Sequence, residues 1–312
     1  MIRDWQIGQV PEVGAWRGMP FGEYRGWPGI SKSFLARARG GYPAEWKLPA
    51  KPPSAAMDLG SAVDCLIYQG PAIFRARYPE IPVVLKKDGT PYVDYLGSKP
   101  GQAWLAEQEA EGRTVLPSDA RLAAVDTAHA VMLHPLAGML IAAGAGQVSL
   151  YWGPMEARRK GRTDTLILAG SPRWAEIVAA LHLPPDAPGV IIDLKTSGPS
   201  KSGRARTPRE WASHAYSYGY HLQMGWYAQG ARETLGDGEW PCVLIQATTA
   251  PPWPVEVYVM DGELTDLGLV EMEDLEQLYY QCQAGDYWPT TLSATEPHRM
   301  RLERWMTREE GF

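Results

Sequence analysis

The chain has 312 residues, 45% of them hydrophobic, and a formal net charge of −6, a composition that suits a globular protein with a buried core and excludes a disordered one. The acid excess argues against a protein that coats nucleic acid over its whole surface, so any phosphate contact must come from local clusters of Lys and Arg. No stretch approaches the roughly 20 apolar residues of a membrane helix, and Met1-Ile2-Arg3-Asp4-Trp5 lacks the apolar run of a signal peptide, which leads to the expectation of a soluble, intracellular protein with no membrane partner.

Residues 1–29 are rich in Gly, Pro and Trp with little periodicity, and read as an irregular lead-in that packs by its aromatics. Ser31 can cap a helix through Phe34, Leu35 and Ala38, ended by Gly40-Gly41. A second helix is expected after Asp58, with Leu59, Ala62, Val63, Leu66 and Ile67 turned inward. Residues 70–100 are punctuated by Pro and Gly, with Lys86-Lys87-Asp88-Gly89 as a turn between two extended pieces. Helical patterning returns at 102–111, and Ser118 opens a long helix through Leu122, Val125, Ala128 and Met132. Residues 148–152, 163–167 and 190–194 have strand composition. The last two are separated by a Pro-rich insertion at 170–189, which has room for a short helix at 174–181. After a basic loop at 197–208, residues 211–235 read as one helix ended by Gly236. Strands at 243–248 and 255–259 and a helix over 264–283 complete the pattern. This order implies one α/β domain with a mixed sheet over 30–288, followed by a charged tail at 289–312.

The chemistry gathers at Gly161-Arg162-Thr163-Asp164 and Ile191-Ile192-Asp193-Leu194-Lys195-Thr196, each a carboxylate set against a short hydrophobic strand. Two hard carboxylate oxygens on neighbouring strands suit Mg²⁺ or Mn²⁺. Strand alternation puts Asp193 and Lys195 on one face, so a metal-bound water and an ammonium can share a pocket, as phosphodiester hydrolysis requires. A lone D-x-K triplet is expected by chance about once in a chain of this length, so a surface ion pair is the plain alternative for these residues taken alone. Two basic clusters could hold phosphates: Arg158, Arg159, Lys160 and Arg162, and then Lys201, Arg204, Arg206 and Arg209 in a Gly/Ser-rich loop, for which simple solvation is the alternative. Most of the 13 tryptophans are expected in the core rather than stacked on bases. Cys65, Cys242 and Cys282 are far apart and form no CxxC or Cys/His pair, so no disulfide framework, zinc site or iron–sulfur site is suggested.

From residue 30 to 288 the sequence resembles the exonuclease VIII (RecE-like) family of phage and prophage nucleases, in order as well as content. Ile30-Ser31-Lys32-Ser33 resembles the family's opening helix and Gly60-Ser61-Ala62-Val63-Asp64 its G-T-A-x-H helix. Lys160-Gly161-Arg162-Thr163-Asp164 is similar to its K-x-R-x-D strand and Asp193-Leu194-Lys195-Thr196 to its D-x-K-T strand. Tyr220, Gln223 and Tyr227 match Y-x-x-Q-x-x-x-Y, a helix signature shared with RecB-type nucleases, and the Pro251–Val255 and Cys282–Pro289 regions resemble the closing strand and helix.

The resemblance implies a PD-(D/E)xK, restriction-endonuclease-like α/β fold with a central mixed sheet flanked by helices. It also implies Mg²⁺-dependent hydrolysis of linear double-stranded DNA from its ends, 5′-to-3′, with Mn²⁺ able to substitute. The expected setting is the cytoplasm of a bacterial host, beside a single-strand annealing protein and in a homo-oligomeric ring. Carried over residue by residue, Asp164 and Asp193 are metal carboxylates, Leu194 offers its carbonyl, Lys195 is the catalytic lysine, and Gln223 and Tyr227 share a helical face. Two positions depart from the pattern: Asp64 stands in place of a metal-binding His, and Gln147 where an acid is common. A carboxylate at 64 can still ligate Mg²⁺. A non-catalytic DNA-end-binding or recombination-scaffold protein, and another PD-(D/E)xK nuclease activity, are the rival readings.

Overall fold

The structure, a computed structural model, describes residues 1–291 apart from 87, 93, 200–202, 204 and 205. In chain order its elements are β1 (Ile2–Asp4), β2 (Gly14–Arg17), α1 (Phe21–Gly26), β3 (Ile30–Ser31), α2 (Lys32–Leu35), α3 (Ala55–Asp64), α4 (Gly70–Arg77), α5 (Lys99–Ala110), α6 (Ser118–Leu133) and α7 (Pro135–Ala143). There follow β4 (Ala145–Trp152), β5 (Arg159–Leu168), α8 (Trp174–Leu181), β6 (Gly189–Ser197), α9 (Pro208–Ser217), α10 (Tyr220–Leu235), β7 (Cys242–Thr248), β8 (Val255–Met260) and α11 (Gly262–Gly285). Among the described residues eight strands form one mixed sheet in the order β1-β2-β4-β5-β6-β7-β8, with β3 added beside β5. The hairpin-linked neighbours β4–β5 and β7–β8 are antiparallel, whereas β6 and β7 are parallel and are joined by the α9–α10 crossover that a parallel pair requires.

Alternation along β6 divides the core in two. Ile192 and Leu194 face the layer of α3, α6, α7 and α8, with Val63, Val131, Leu140 and Ile177. Ile191 faces the other layer, where Leu35 of α2, Leu222 and Trp226 of α10 and Met272 of α11 gather. Each fully buried aliphatic side chain contributes roughly 1.5–3 kcal/mol, so both faces of this strand anchor it.

Three expectations, on residues 1–29, 211–235 and 70–100, are corrected. Residues 1–29 are not irregular throughout: β1 and β2 extend the sheet, with β2 pairing Gly14–Trp16 against Ser149–Tyr151 of β4. These strands are too short, at three and four residues, for alternation to stand out. The single helix at 211–235 is two, because Gly219 adopts φ +68 between α9 and α10. Helix α6 buries Ala124, Thr127, Ala128 and Val131 and leaves Leu122, Val125 and Met132 exposed; its small-residue face is the one in the core. Within 70–100 there is a further helix, α4, started by Gly70-Pro71, a Pro placement that opens helices as readily as it ends them. Among the described residues no single helix is long and apolar enough to cross a membrane.

Candidate active site

Strands β5 and β6 pair in register from Leu168–Gly189 to Thr165–Ile192. One step further a side chain takes over the ladder: Asp164 Oδ2 accepts the Leu194 N–H at 2.8 Å. In an extended strand the N–H and C=O of one residue point to the same edge, so the Leu194 carbonyl also faces β5. On the far side of β5, pairing with β4 runs through Gly146–Thr165 and Val148–Thr163 but skips Gln147, which has φ +52. Asp164 therefore sits where the ladders on both sides are interrupted, and the sheet opens around it.

Asp193 and Lys195 project from β6 toward α10, and Gln223 joins them. Its Nε2 donates to Asp193 Oδ1 at 2.6 Å and lies 3.1 Å from the Tyr227 hydroxyl, while its Oε1 accepts from Lys195 Nζ at 3.1 Å. The Lys195 ammonium pairs with Asp193 Oδ2 and lies 4.7 Å from the centre of the Tyr220 ring. Asp193 is only 1% exposed. From the opposite layer, α3 passes so close to β6 that a Cβ on Gly60 would stand 2.9 Å from Thr196 Oγ1. One turn later the same helix ends at Asp64, which interacts electrostatically with Asp193 and Lys195.

The electrostatics are those of crowded carboxylates. Withdrawal from water, then the charge of Asp193, push the Asp64 carboxyl up to about 7, with Lys195 opposing. The same burial, followed by Asp193 and Asp64, holds Asp164 well above the usual carboxylate range, against the pull of Lys195 and the Leu194 N–H. Burial by itself would lower Lys195, but Asp193 and Asp164 outweigh it and keep the ammonium charged.

Among the described residues no three acidic, His or Cys side chains already converge on one metal position. The donor set nevertheless fits a hard divalent cation. It offers oxygen donors whose negative charges oppose one another, and a buried Asp193 Oδ2 that among the described residues meets the Lys195 ammonium alone.

Residues 183–299 match the family model of a PDDEXK-like domain of unknown function, DUF3799. The matched span contains Asp193, Lys195, Gln223 and Tyr227; Asp64 and Asp164 lie outside it. The structure also superimposes on a protein from Eubacterium rectale described provisionally as an exonuclease, with a TM-score of 0.53 at 15% identity, covering 88% of this chain and 91% of that one. The fold is PD-(D/E)xK. A Vibrio cholerae protein, also 15% identical, covers 82% of this chain and 57% of its own at a TM-score of 0.21, too low to bear on the comparison. No curated protein matches the chain at a significant level.

On this PD-(D/E)xK scaffold Arg159, Lys160 and Arg162 of the first basic cluster are committed internally. Lys160 is buried, and its Nζ donates to the carbonyls of Tyr24, Arg25 and Trp27, holding the end of α1 against β5. Arg162 donates to Met19 O at 2.8 Å and Gln147 Oε1 at 3.0 Å and lies over the Phe21 and Tyr24 rings. Arg159 is forked onto Glu276. The phosphate role expected for Lys160 and Arg162 is therefore corrected to a structural one, dictated by carbonyls and a side-chain amide that the sequence does not place near them. In the second cluster Arg206 donates to Gly198 O at 2.6 Å and Arg209 is exposed in the first turn of α9; Lys201 and Arg204 lie outside the described residues.

Lys32, the first residue of α2, had no role assigned from sequence beyond its place in Ile30-Ser31-Lys32-Ser33. Pairing of β3 with β5 brings α2 to the site. There burial, then the neighbouring charge of Lys195, lowers the Lys32 ammonium to about 8, with Asp193 opposing. The Ser-Lys-Ser run was the available signal, but a four-residue helix carries too little pattern to show which way its lysine points.

Proposed function

We propose that this chain is a divalent-metal-dependent deoxyribonuclease that degrades linear double-stranded DNA from its ends, 5′-to-3′, in phage or prophage recombination. The observation that carries the reading is the join between β5 and β6, where Asp164 on the Leu194 N–H stands beside Asp193 and Lys195 on a common face. Asp64, Asp164, Asp193 and the Leu194 carbonyl would hold Mg²⁺, or Mn²⁺ in its place, which when bound supplies Lewis acidity toward the phosphate and a more acidic water. Lys195, kept charged by its carboxylate neighbours and oriented by Gln223, faces negative charge developing on a phosphate oxygen. Gln223 in turn fixes the Asp193 carboxylate, and its contact with the hydroxyl of the partly buried Tyr227 limits its rotation. Arg206 and Arg209, together with Lys201 and Arg204 of the same loop, are the proposed backbone contacts. The description of the E. rectale protein supports exonucleolytic over endonucleolytic action. The motif resemblance supports a single-strand annealing partner and a ring of identical subunits, in which a basic channel would reconcile the net charge of −6 with a DNA substrate.

Digestion of end-labelled linear duplex against closed circular duplex tests this reading, with Mg²⁺, Mn²⁺ or chelator and with Lys195→Ala as control. The expected result is metal-dependent loss of the linear form alone, abolished in the variant. Cutting of the circle would mean an endonuclease. Binding of ends that persists in chelator, with no cleavage under any condition, would mean an end-binding scaffold.

A further inference from the structure

The corner between α9 and α10 places a stair of aromatic rings beside Lys195. Tyr220, whose ring centre lies 4.7 Å from the Lys195 ammonium, is followed outward by Tyr218 at a ring separation of 6.1 Å, and Tyr218 by His214 at 4.3 Å. Tyr218 is 63% exposed, and its ring joins the partly buried Tyr220 to solvent. Its backbone setting is constrained: Gly219 at φ +68 makes the turn, and a Cβ there would meet Leu222 Cδ1 at 2.6 Å and Arg39 Nη1 at 3.1 Å. Arg206 lies alongside, close enough to act electrostatically on both His214 and Tyr220. The corner thus offers an exposed ring, a neighbouring cation and a continuous path to the ammonium of the site.

We propose that this stair is a binding track for single-stranded DNA, with an unpaired base stacked on Tyr218 and its phosphate passing Arg206 toward Lys195. Three observations favour an unpaired strand. A base inside a duplex has both faces covered by its neighbours, so beyond the outer face of a terminal pair an exposed ring can stack only on a base that has left the helix. The 6.1 Å step between Tyr218 and Tyr220 is wider than the spacing of about 3.4 Å per nucleotide along a duplex strand and suits splayed nucleotides. A single arginine beside an aromatic ring matches the backbone-plus-stacking mode by which proteins hold single strands without reading sequence. The inference deepens the nuclease reading and rests on it for the direction of the track: the enzyme would engage a terminus whose last bases have separated, and frayed or overhanging ends would be better substrates than blunt ones.

The test uses the full chain in chelator and a fluorescein-labelled 12-nucleotide oligo-dT, with anisotropy as the readout, followed by a series of the same oligonucleotide carrying one abasic position at a time. Tyr218→Ala should weaken binding about tenfold, as expected for loss of one base–aromatic stack, and Tyr218→Phe should restore it. One abasic position should weaken wild-type binding by a similar factor and leave Tyr218→Ala unaffected, a coupling that a merely structural tyrosine would not produce. Equal affinities of wild type and Tyr218→Ala overturn the proposal, as does an abasic series that affects both alike, or binding of blunt duplex but not of the oligonucleotide. Cleavage of linear duplex in Mg²⁺ is measured in parallel. Cleavage without any effect of Tyr218 rejects the track alone, and a Tyr218 effect without cleavage rejects the nuclease reading alone.

Discussion

Gln223 on α10 donates to the carboxylate of Asp193 on β6 at 2.6 Å, and its other amide atom, Oε1, accepts from Lys195. The amide therefore needs both its polarities. Gln223→Ala should lower turnover about a hundredfold, the scale of losing one preorganised group, with little change in KM for DNA. Gln223→Glu should fall further, because a carboxylate has no proton to donate to Asp193 and adds charge to a site already crowded with it. Steady-state kinetics of the two variants, with circular dichroism to confirm folding, checks this; a Glu variant more active than the Ala variant would sink the argument.

The raised Asp64 carboxyl makes the metal-free protein sensitive to pH. Its folded value of about 7 lies above the ordinary 3.8, so the folded state holds a proton that the unfolded state has released. The contribution of this group is fully present below about pH 4 and is lost as pH rises through 7. In chelator, unfolding free energy should fall by about 1 kcal/mol between pH 6 and pH 8, since one tenfold change in proton binding is worth about 1.4 kcal/mol. Asp64→Asn should flatten that slope, and Mg²⁺ or Mn²⁺ should stabilise the wild type more at pH 8 than at pH 6. Asp64→His should retain activity with a shift toward Mn²⁺, which accepts nitrogen more readily. Denaturant titrations across that window, and metal titrations of cleavage, decide it; superimposable curves for wild type and variants would remove Asp64 from the site.

Lys160 holds the carbonyls of Tyr24 and Arg25 in the last turn of α1 and of Trp27 just after it. Lys160→Met keeps the stem and strands those acceptors, at a cost of about 1–3 kcal/mol. Chemical denaturation should show that loss, while the salt dependence of DNA binding stays at its wild-type slope. A flattened slope would restore Lys160 to the DNA contacts.

Much of the site was legible because its signals are local. Asp193 and Lys195 share a face by strand alternation, and Gln223 and Tyr227 share one by helical spacing, so neither pair needed the tertiary structure. The Asp164 contact with the Leu194 N–H was beyond such reasoning: the two residues are 30 positions apart with helix α8 between them, and strand order decides the meeting. The α9–α10 corner was hidden for the opposite reason, since Trp211, Ala215, Leu222 and Trp226 keep an apolar rhythm straight through it, and only the left-handed backbone of Gly219 breaks the helix. The inward face of α6 is not marked by its larger apolar residues, because alanines and a threonine meet the neighbouring helices. The charges of Lys160 and Arg162 suggested phosphate, but a cation and a backbone carbonyl recognise each other as readily, and nothing in the sequence shows that α1 and its flanking residues pass there.

The short strand β2 has a significance out of proportion to its four residues. It lies along β4, an eight-residue strand whose last five side chains are buried, and supplies hydrogen-bond partners on that flank. Trimming the front of the chain would turn an interior strand into an adhesive border, able to recruit the same strand from another molecule. Such a shortened protein would tend to self-associate, and its loss of activity would then report on aggregation before it reported on catalysis.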